Sequence, residues 1–339
     1  MAIDRVLIVG LGSIGRRHLR LARQLLPSAD IRVLRHQPSN ELPEFSDGCF
    51  SQLNEAIDFA PQLAVIASPA SFHLPVAIAL ANAGTNLLVE KPLASDLEGV
   101  EELIACCQSK RVVLLTGYNL RFLPSLQKFR ELLHANTIGR ILSVRCEIGQ
   151  YLPTWRPESD YRQGVSAQRA LGGGALLELS HELDYLRWIF GEIDWVMASL
   201  SKQSALVIDV EDTAHLTLGF CDAKGANGLI GTLNLDFIRH DTTRLCTAIG
   251  EFGSLHWNGL TGAVEQFIAG TSHWCELYRH QHQRDDSYLA EWQHMLTCIQ
   301  TGETPLITGA DGLQVLRIVD AARRSSASGT KTRVASKNT

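Results

Sequence analysis

The chain has 339 residues, more than one compact core usually holds, so its length predicts two domains. Hydrophobic residues make up 45% of it and charged residues 20%, a balance typical of globular proteins rather than disordered or fibrous ones. The net charge of -5 excludes the general attraction of a basic protein for nucleic acid or anionic lipid. We therefore expect neither nucleic acid nor a membrane as a partner.

The eight cysteines occur without a C-x-x-C pair, which favours reduced thiols over a disulfide framework or a zinc ribbon. The chain opens on a short, charged and β-branched run that does not resemble a signal peptide. No apolar run approaches the roughly 18 residues that a membrane span requires. These features predict a cytoplasmic protein.

The first motif is a glycine-rich turn between a predicted strand, residues 5–9, and a predicted helix, residues 16–26. Its G-x-G-x-x-G spacing suits a tight turn, an approach of backbone to a pyrophosphate and a close packing of helix on strand. The helix N-terminus adds free N–H groups for phosphate. A glycine-rich turn without a ligand is the alternative. The residues expected to bind a dinucleotide here are Gly10, Gly12, Ser13, Ile14 and Gly15.

The end of the second predicted strand, residues 31–34, bears on the choice of dinucleotide. About 20 residues beyond the glycines, NAD-selective enzymes usually have an acidic residue that binds the ribose hydroxyls. This chain has Arg35 and His36 there. An arginine can pair with a 2′-phosphate, and Arg16 or Arg17 can assist, so we expect NADP to be favoured, with NAD possible. A solvated surface arginine is the alternative.

Strands and helices continue to alternate along the first third of the chain. A strand is predicted over residues 63–67, a helix over 74–83 and another strand over 87–89. This alternation predicts a parallel sheet, whose ligands bind at the carboxyl ends of its strands. The further cofactor-binding candidates at those ends are Ser68, Pro69, His73, Glu90 and Lys91.

A second motif lies in the segment GGGALLELSHELDYLRWIFG, residues 172–191. Its pattern predicts one helix over residues 175–190. Spacings of three then place Glu178, His181 and Asp184 on one face. A histidine exchanges protons near neutral pH, and a flanking carboxylate orients its ring. The alternative is a partly exposed helix with incidental ion pairs.

Several segments together resemble one enzyme family, the Gfo/Idh/MocA oxidoreductases. They are VGLGSIGRRH, AVIASPASFHLPVAIALANAGTNLLVEKPLA, GYNLRF, the second motif, VEDTAHLTL and a closing segment over residues 288–321. The resemblance covers nearly the whole chain. The combination of E-K-P with G-G-G and H-x-x-D is far more specific than the glycine motif alone.

The resemblance implies a Rossmann domain over residues 1–119 and an α+β domain over 120–339, with a large, mostly antiparallel, open-faced sheet. It implies an NAD(P)-dependent enzyme that moves a hydride between nicotinamide and a secondary alcohol or ketone of a sugar, polyol or sugar-derived substrate. Relatives are commonly homodimers or homotetramers. A noncatalytic NAD(P)-binding sensor or assembly factor, and an enzyme whose tightly held cofactor cycles internally, are the alternatives.

By motif match, Lys91 lies near the substrate hydroxyl, often with a cis bond to the next proline, and His181 is the proton-transfer residue. Many relatives have aspartate four residues before that histidine, where this chain has Leu177. Glu178 is three residues before it and either compensates or leaves that role unfilled. The predicted catalytic residues are Lys91, His181, Asp184 and Glu178.

Two further stretches supply candidate substrate residues. The first matches the family's G-x-N-x-R segment and can contact substrate or serve as a structural hinge. The second, residues 150–162, is aromatic, proline-rich and charged, as a sugar-binding loop or an oligomer contact would be. The expected substrate residues are Asn119, Arg121, Tyr151, Trp155, Arg156, Tyr161 and His181.

The last third of the chain holds no motif with metal chemistry. Three histidines lie close together in sequence, but no carboxylate or thiol stands at ligand spacing from them, so no metal site is expected. They are His273, His280 and His282. The final residues, 325–339, are small and polar, and we expect them to be loosely packed.

Overall fold

The computed structural model describes residues 3–35, 42–221 and 227–335. Its α-helices are α1 (Ser13–Leu25), α2 (Leu53–Asp58), α3 (His73–Asn82), α4 (Val100–Lys110), α5 (Pro124–His134), α6 (Ala175–Glu178), α7 (His181–Phe190), α8 (Asp286–Thr301) and α9 (Gly309–Ser328). Its strands are β1 (Arg5–Val9), β2 (Asp30–Leu34), β3 (Gly48–Phe50), β4 (Leu63–Ile66), β5 (Asn86–Glu90), β6 (Leu114–Gly117), β7 (Ile141–Gly149), β8 (Ile193–Ser201), β9 (Thr213–Cys221), β10 (Asn227–Asp236), β11 (Thr243–Gly250), β12 (Gly253–Asn258), β13 (Ala263–Ile268), β14 (Trp274–Arg279) and β15 (Thr332–Arg333).

The chain forms two compact units. The first consists of Met1–Tyr118 and Tyr288–Leu316, and the second of Asn119–Ser287 and Arg317–Thr339. The sequence analysis did not foresee the return of the chain to the first unit at residue 288. Helix α9 therefore contributes its beginning to one unit and its end to the other.

The first unit is built on a parallel sheet with the order β3-β2-β1-β4-β5-β6. This order is that of a dinucleotide-binding Rossmann fold, as the alternating pattern predicts. Strand β1 pairs with both β2 and β4, so the point where the strand order reverses lies beside the glycine-rich turn. The sheet thus places that turn where ligands of such folds bind.

The core of the first unit includes the part of the chain that returns to it. Val6 and Ile8 of β1 are fully buried in a cluster that also holds Leu21 of α1. Trp292 and Met295 of α8 belong to the same cluster and are fully buried as well. Burying one large apolar side chain contributes about 1.5–3 kcal/mol, so α8 is a substantial part of this core.

The second unit is built on one nine-stranded sheet with the order β14-β13-β12-β11-β7-β10-β9-β8-β15. Strands β10 and β7 pair in parallel, while the other neighbours pair in antiparallel fashion. The large, mostly antiparallel sheet implied by the family resemblance is therefore confirmed. Met197 and Ile230, on β8 and β10, are exposed apolar residues of this sheet.

The single helix predicted over residues 175–190 is wrong, because α6 ends at Glu178 and α7 begins at His181. The Ser180 amide donates to the Leu177 carbonyl, and the Glu182 amide to the Leu179 carbonyl. These bonds span three residues instead of four, which tightens the backbone into a turn between the helices. Glu178 and His181 are therefore not on one helical face.

The prediction that residues 325–339 are loosely packed does not hold for Ser325 or for β15, although most of the described residues beyond Ser325 are exposed. Ser325 is fully buried, and its hydroxyl donates to the Thr330 carbonyl and accepts from the Ala198 amide. Beyond it, β15 pairs with β8 and extends the sheet. Small polar residues are retained here because they complete backbone hydrogen bonds. Residues 336–339 lie outside the described part of the chain.

All eight cysteines are free thiols. Among the described residues, no helix combines the length and the apolar character needed to cross a bilayer.

Candidate active site

At two positions of the first turn, other backbone atoms lie so close that only glycine fits. Gly10 follows β1 with a φ of +89°, and a Cβ there would lie 2.9 Å from the Ser68 amide nitrogen. A Cβ on Gly15 would lie 2.1 Å from the Gly10 carbonyl oxygen. Helix α1 thus approaches the ends of β1 and β4 so closely that no side chain fits between them.

The same turn suits a dinucleotide phosphate. Gly12 is the N-cap of α1, and a Cβ there would meet nothing within 4 Å, so the backbone is accessible to a ligand. Ser13 and Ile14 follow in the first helical turn, whose N–H groups have no acceptor within a helix. The Ser68 hydroxyl oxygen is buried and has no hydrogen-bond partner among the described residues, so a polar ligand group can satisfy it.

Two predicted cofactor residues flank the phosphate turn on neighbouring strands. Arg35 follows β2 and is half-buried, and its amide donates to the Phe50 carbonyl. Pro69 follows β4 and accepts the Phe72 amide at the start of a short 3-10 helix. The predicted residue His36 lies outside the described residues.

The turn after β5 carries Glu90 and Lys91, and the bond from Lys91 to Pro92 is cis, as the family resemblance implies. The Glu90 carboxylate is buried and accepts the Lys91 amide at 3.1 Å. This charge-assisted hydrogen bond orients the backbone that carries the Lys91 side chain. Lys91 itself is half-buried.

His73 of α3 connects the turns after β4 and β5. Its Nδ1 lies 3.1 Å from the Pro92 carbonyl oxygen and its Nε2 lies 2.8 Å from the Ser68 carbonyl oxygen. Burial lowers the pKa of His73, so the ring is neutral and carries a single N–H. It therefore donates to one of these oxygens, and the shorter distance points to Ser68.

In the second unit, two predicted site residues pair with each other. The Arg121 guanidinium donates to both carboxylate oxygens of Asp184, at 2.8 Å and 2.6 Å. Both side chains are buried. The Arg121 guanidinium also lies 5.7 Å from the centre of the Trp188 ring. Asp184 thus connects α7 to the short 3-10 helix Asn119–Phe122.

The other two predicted catalytic residues of this unit flank the turn between α6 and α7. His181 is the first residue of α7 and is half-buried. The Glu178 carboxylate accepts a hydrogen bond from the Ser166 hydroxyl at 2.7 Å. Leu177, which stands where many relatives have aspartate, is buried in the apolar core.

The predicted substrate loop, residues 150–162, is held by aromatic contacts. The rings of Tyr151 and His240 lie 4.1 Å apart, centre to centre. The Trp155 ring meets the Phe237 ring edge-on at 5.2 Å. These contacts give the loop one defined conformation within its own unit.

The remaining predicted substrate residues differ in their surroundings. The Tyr161 hydroxyl accepts the Val207 amide at 3.2 Å, and Arg156 is exposed. Asn119 is buried, and its side-chain amide donates to the Ser287 hydroxyl at 2.8 Å. Asn119 and Arg121 thus both bond to neighbours within the second unit.

Both units match models of known protein families. A model described as an oxidoreductase family, NAD-binding Rossmann fold, matches residues 5–118. The model of the same family's C-terminal alpha/beta domain matches residues 130–335. The chain belongs to the Gfo/Idh/MocA oxidoreductase family. It is therefore an oxidoreductase with an NAD-binding domain, as its motifs predict.

One named relative of this Gfo/Idh/MocA chain matches nearly all of it, and another matches less than half. The myo-inositol 2-dehydrogenase of Thermotoga maritima is 26% identical over 341 residues, which cover 95% of this chain and 96% of that protein. The levoglucosan dehydrogenase of Pseudarthrobacter phenanthrenivorans is 33% identical over 138 residues, 40% of this chain and 35% of that protein.

Solved structures confirm the fold. A levoglucosan dehydrogenase in complex with NADH superposes with a TM-score of 0.85 at 23% identity, covering 98% of this chain and 99% of that one. GenD2 from gentamicin A biosynthesis, in complex with NAD, superposes with a TM-score of 0.80 at 25% identity, covering 99% and 98%. The predicted combination of a Rossmann domain and a large mixed sheet is thus that of known family members.

The sequence analysis missed several buried polar residues of this oxidoreductase. Glu182 is fully buried beside His181 and accepts a hydrogen bond from Arg244 at 2.8 Å. The Tyr185 hydroxyl lies 2.9 Å from the Cys146 sulfur, and burial raises the pKa of Tyr185 well above its usual value. The spacing of polar residues in this segment predicts one functional face, whereas α7 is buried on nearly every side.

Proposed function

We propose that this oxidoreductase transfers a hydride between a nicotinamide dinucleotide and a secondary alcohol or ketone of a sugar or polyol. The observation that carries the proposal is the position of Lys91. It follows β5 at the carboxyl edge of a parallel sheet, on a turn held by the buried Glu90 carboxylate. A cation at this edge, next to a glycine turn suited to pyrophosphate, can stabilise negative charge that develops on a substrate oxygen.

In the oxidative direction, the substrate loses the hydride of its carbinol C–H and the proton of its hydroxyl. A nicotinamide dinucleotide, when bound, would supply the acceptor for the hydride. His181 takes the hydroxyl proton, and Lys91 stabilises the alkoxide as that proton leaves. Reduction runs the same steps in reverse.

This division of roles agrees with the surroundings of each predicted catalytic residue. Asp184 is engaged with Arg121, so we assign it the positioning of α7 rather than proton transfer. Glu178, bonded to Ser166, is assigned the positioning of the segment that precedes His181. Lys91 belongs to the first unit and His181 to the second.

The substrate class rests on the relatives. A cyclic polyol and an anhydrosugar are the substrates named for the myo-inositol 2-dehydrogenase and the levoglucosan dehydrogenase. The aromatic residues Tyr151, Trp155 and Tyr161, with the exposed Arg156, are the side chains that we assign to the ring of such a substrate. An aromatic face packs well on the apolar face of a sugar ring, while the polar groups select its hydroxyls.

For the dinucleotide, we propose that Arg35 favours NADP by pairing with the 2′-phosphate of that cofactor.

A homodimer or homotetramer and a cytoplasmic location remain predictions. The exposed apolar residues Met197 and Ile230 on the large sheet support self-association. Light scattering coupled to size-exclusion chromatography measures the oligomeric state directly.

The test is turnover of purified protein with NAD⁺ and NADP⁺ on a panel of cyclitols, aldoses and sugar nucleotides. With a substrate in hand, we expect Lys91→Met and His181→Asn each to lower kcat by about a hundredfold or more. Dinucleotide affinity should stay near that of the unmodified protein. Lys110→Met and His215→Asn, at exposed positions, are the matched controls and should keep full turnover.

Unchanged kcat in both site variants would refute the assignment. Absence of turnover on every substrate would favour the noncatalytic sensor. Dinucleotide that remains bound through gel filtration would favour internal redox cycling over exchange of free cofactor.

A further inference from the structure

Beneath the Lys91 turn lies a buried cluster of three ionisable side chains from three separate parts of the first unit. His18 comes from α1, Glu90 from the end of β5 and Glu291 from α8. A ring nitrogen and one carboxylate oxygen from each glutamate all lie within 4.8 Å of one another. His18 and Glu291 are fully buried and Glu90 is 6% exposed.

The tautomer of His18 follows from its neighbours. The Trp292 indole N–H, which can only donate, lies 2.9 Å from His18 Nδ1. Nδ1 must therefore carry the lone pair, and the ring proton is on Nε2. Nε2 lies 2.8 Å from Glu90 Oε1 and donates to it. A ring proton on Nδ1 would face the indole N–H, which excludes the tautomer with its proton on Nδ1.

The two glutamates differ in their hydrogen-bond donors. Glu90 accepts hydrogen bonds from His18 Nε2 and from the Lys91 amide, one at each carboxylate oxygen. Among the described residues, no donor lies within hydrogen-bonding distance of either Glu291 oxygen. An ionised carboxylate needs donors, whereas a protonated carboxyl is neutral and tolerates burial far better. The negative charge therefore belongs on Glu90 and the proton on Glu291.

These arguments exclude a simple metal site. A cation would need the lone pair of His18 on Nε2, but the contact with Trp292 places that lone pair on Nδ1. Coordination would set the Nδ1 proton against the indole N–H. The cluster is thus arranged for a proton.

We propose that the pair of Glu90 and Glu291 carries one proton, which is on Glu291, and that the single charge left on Glu90 positions the turn that bears Lys91. Glu291 and His18 are accordingly positioning residues for Lys91. The functional part of this inference rests on the role proposed above for Lys91.

The other ionisable groups around the cluster do not add a positive charge to it. Tyr288 packs edge-on against His18 at 5.8 Å, and burial raises its pKa, so it stays neutral. Arg17 lies over the Tyr288 ring at 4.7 Å. His73, on the far side of the Lys91 turn, is neutral because burial lowers its pKa. Burial, followed by the charge of Glu90, raises the pKa of Glu291 well above its usual value.

The first test is infrared spectroscopy of the full chain at neutral pH. The spectrum of the unmodified protein minus that of Glu291→Gln should show the carbonyl band of a protonated carboxylic acid. The exposed control Glu102→Gln should instead show loss of a carboxylate band. A carboxylate band for Glu291 would overturn the proposal.

The second test is thermal unfolding against pH, compared with Glu291→Gln. Above about pH 4.3 the unfolded chain releases the Glu291 proton, while the folded chain keeps it. Raising the pH therefore favours unfolding of the unmodified protein, by up to about tenfold in the unfolding equilibrium per pH unit, until the folded pKa is passed. Over this pH range, the Tm of Glu291→Gln should rise increasingly above that of the unmodified protein. The difference in Tm between Glu102→Gln and the unmodified protein should not grow. A constant difference would contradict a proton on Glu291.

The third test addresses the positioning role. In the unmodified enzyme, ionisation of Glu291 at high pH puts a second negative charge beside Glu90. We therefore expect kcat to decline at high pH. In Glu291→Gln this decline should be absent. If kcat has the same pH profile in both, the positioning role is refuted.

Full activity of Lys91→Met would refute the proposed function alone, because the infrared and unfolding results do not depend on turnover. A rise in Tm on adding Zn²⁺ that Glu291→Gln abolishes would overturn the assignment of a proton in favour of a metal.

Discussion

Asp184 receives two hydrogen bonds from the guanidinium of Arg121, and the two side chains are only 2% and 4% exposed. The sequence assigned these residues to different tasks, one beside the catalytic histidine and one at the substrate. Instead, each neutralises the other in the interior of the second unit. Their contact holds the first turn of α7, which begins at His181.

Breaking this buried pair should destabilise the protein strongly. Asp184→Asn leaves the Arg121 charge without its counterion, a change that typically costs about 3–5 kcal/mol. Urea unfolding of the two proteins measures the difference. Asp160→Asn breaks an exposed ion pair with Arg162 and should leave the unfolding midpoint unchanged. Equal stability of the two variants would show that the buried pair contributes nothing.

The glycine turn offers a matched pair of substitutions. Gly15→Ala places a Cβ 2.1 Å from the Gly10 carbonyl oxygen, so α1 must shift, and both Tm and dinucleotide affinity should fall. Gly12→Ala meets no protein atom within 4 Å, so Tm should stay constant while a methyl group faces the phosphate. For Gly12→Ala we expect about a tenfold weaker Kd, or 1.4 kcal/mol. Calorimetric titration measures both affinities, and an unaltered Kd for Gly12→Ala would place the phosphate elsewhere.

Asp212 should govern part of the acid stability. Burial raises its pKa, but hydrogen bonds from Ser204, Gln203 and Thr213 outweigh burial, so the pKa of Asp212 is lowered overall. A lowered pKa contributes stability above the unfolded value of about 3.9, and that stability is lost as pH falls through the folded value. Asp212→Asn should therefore lose stability at pH 7 and show a shallower loss below about pH 4. Asp4→Asn, at an exposed position, should keep the acid slope of the unmodified protein.

Arg35 provides the test of cofactor choice. If its guanidinium pairs with a 2′-phosphate, Arg35→Ala should weaken NADPH binding by about tenfold and leave NADH binding nearly constant. Fluorescence titration with both dinucleotides gives the two values. Tighter binding of NADH than of NADPH by the unmodified protein would contradict the proposed preference.

Local patterns predicted the first unit well. The strands predicted over residues 5–9, 31–34, 63–67 and 87–89 correspond to β1, β2, β4 and β5, with ends that differ by one residue at most. Each is a short apolar run closed by turn residues, and such runs form buried parallel strands. The glycine spacing also predicted correctly where a Cβ would collide, since that constraint lies within a few residues of chain.

The second motif shows where such reasoning fails. A helical repeat of polar residues predicts one exposed face, yet Glu182, Asp184 and Arg187 of α7 are all buried. Arg244 and Arg121, the partners of Glu182 and Asp184, come from parts of the chain about 60 residues away, and no spacing within the motif encodes them. Glu192, the partner of Arg187, lies just beyond the end of α7. The break before His181 contains no helix-breaking residue, and Leu179 at the break is buried.

The strands of the first sheet, the cofactor turn and the family motifs could be read from the amino-acid order, because each depends on neighbours close along the chain. The Arg121–Asp184 pair and the cluster of His18, Glu90 and Glu291 could not, because their members come from elements far apart in sequence. Only folding removes these ionisable groups from water, and the loss of water is what determines which of them keep a charge.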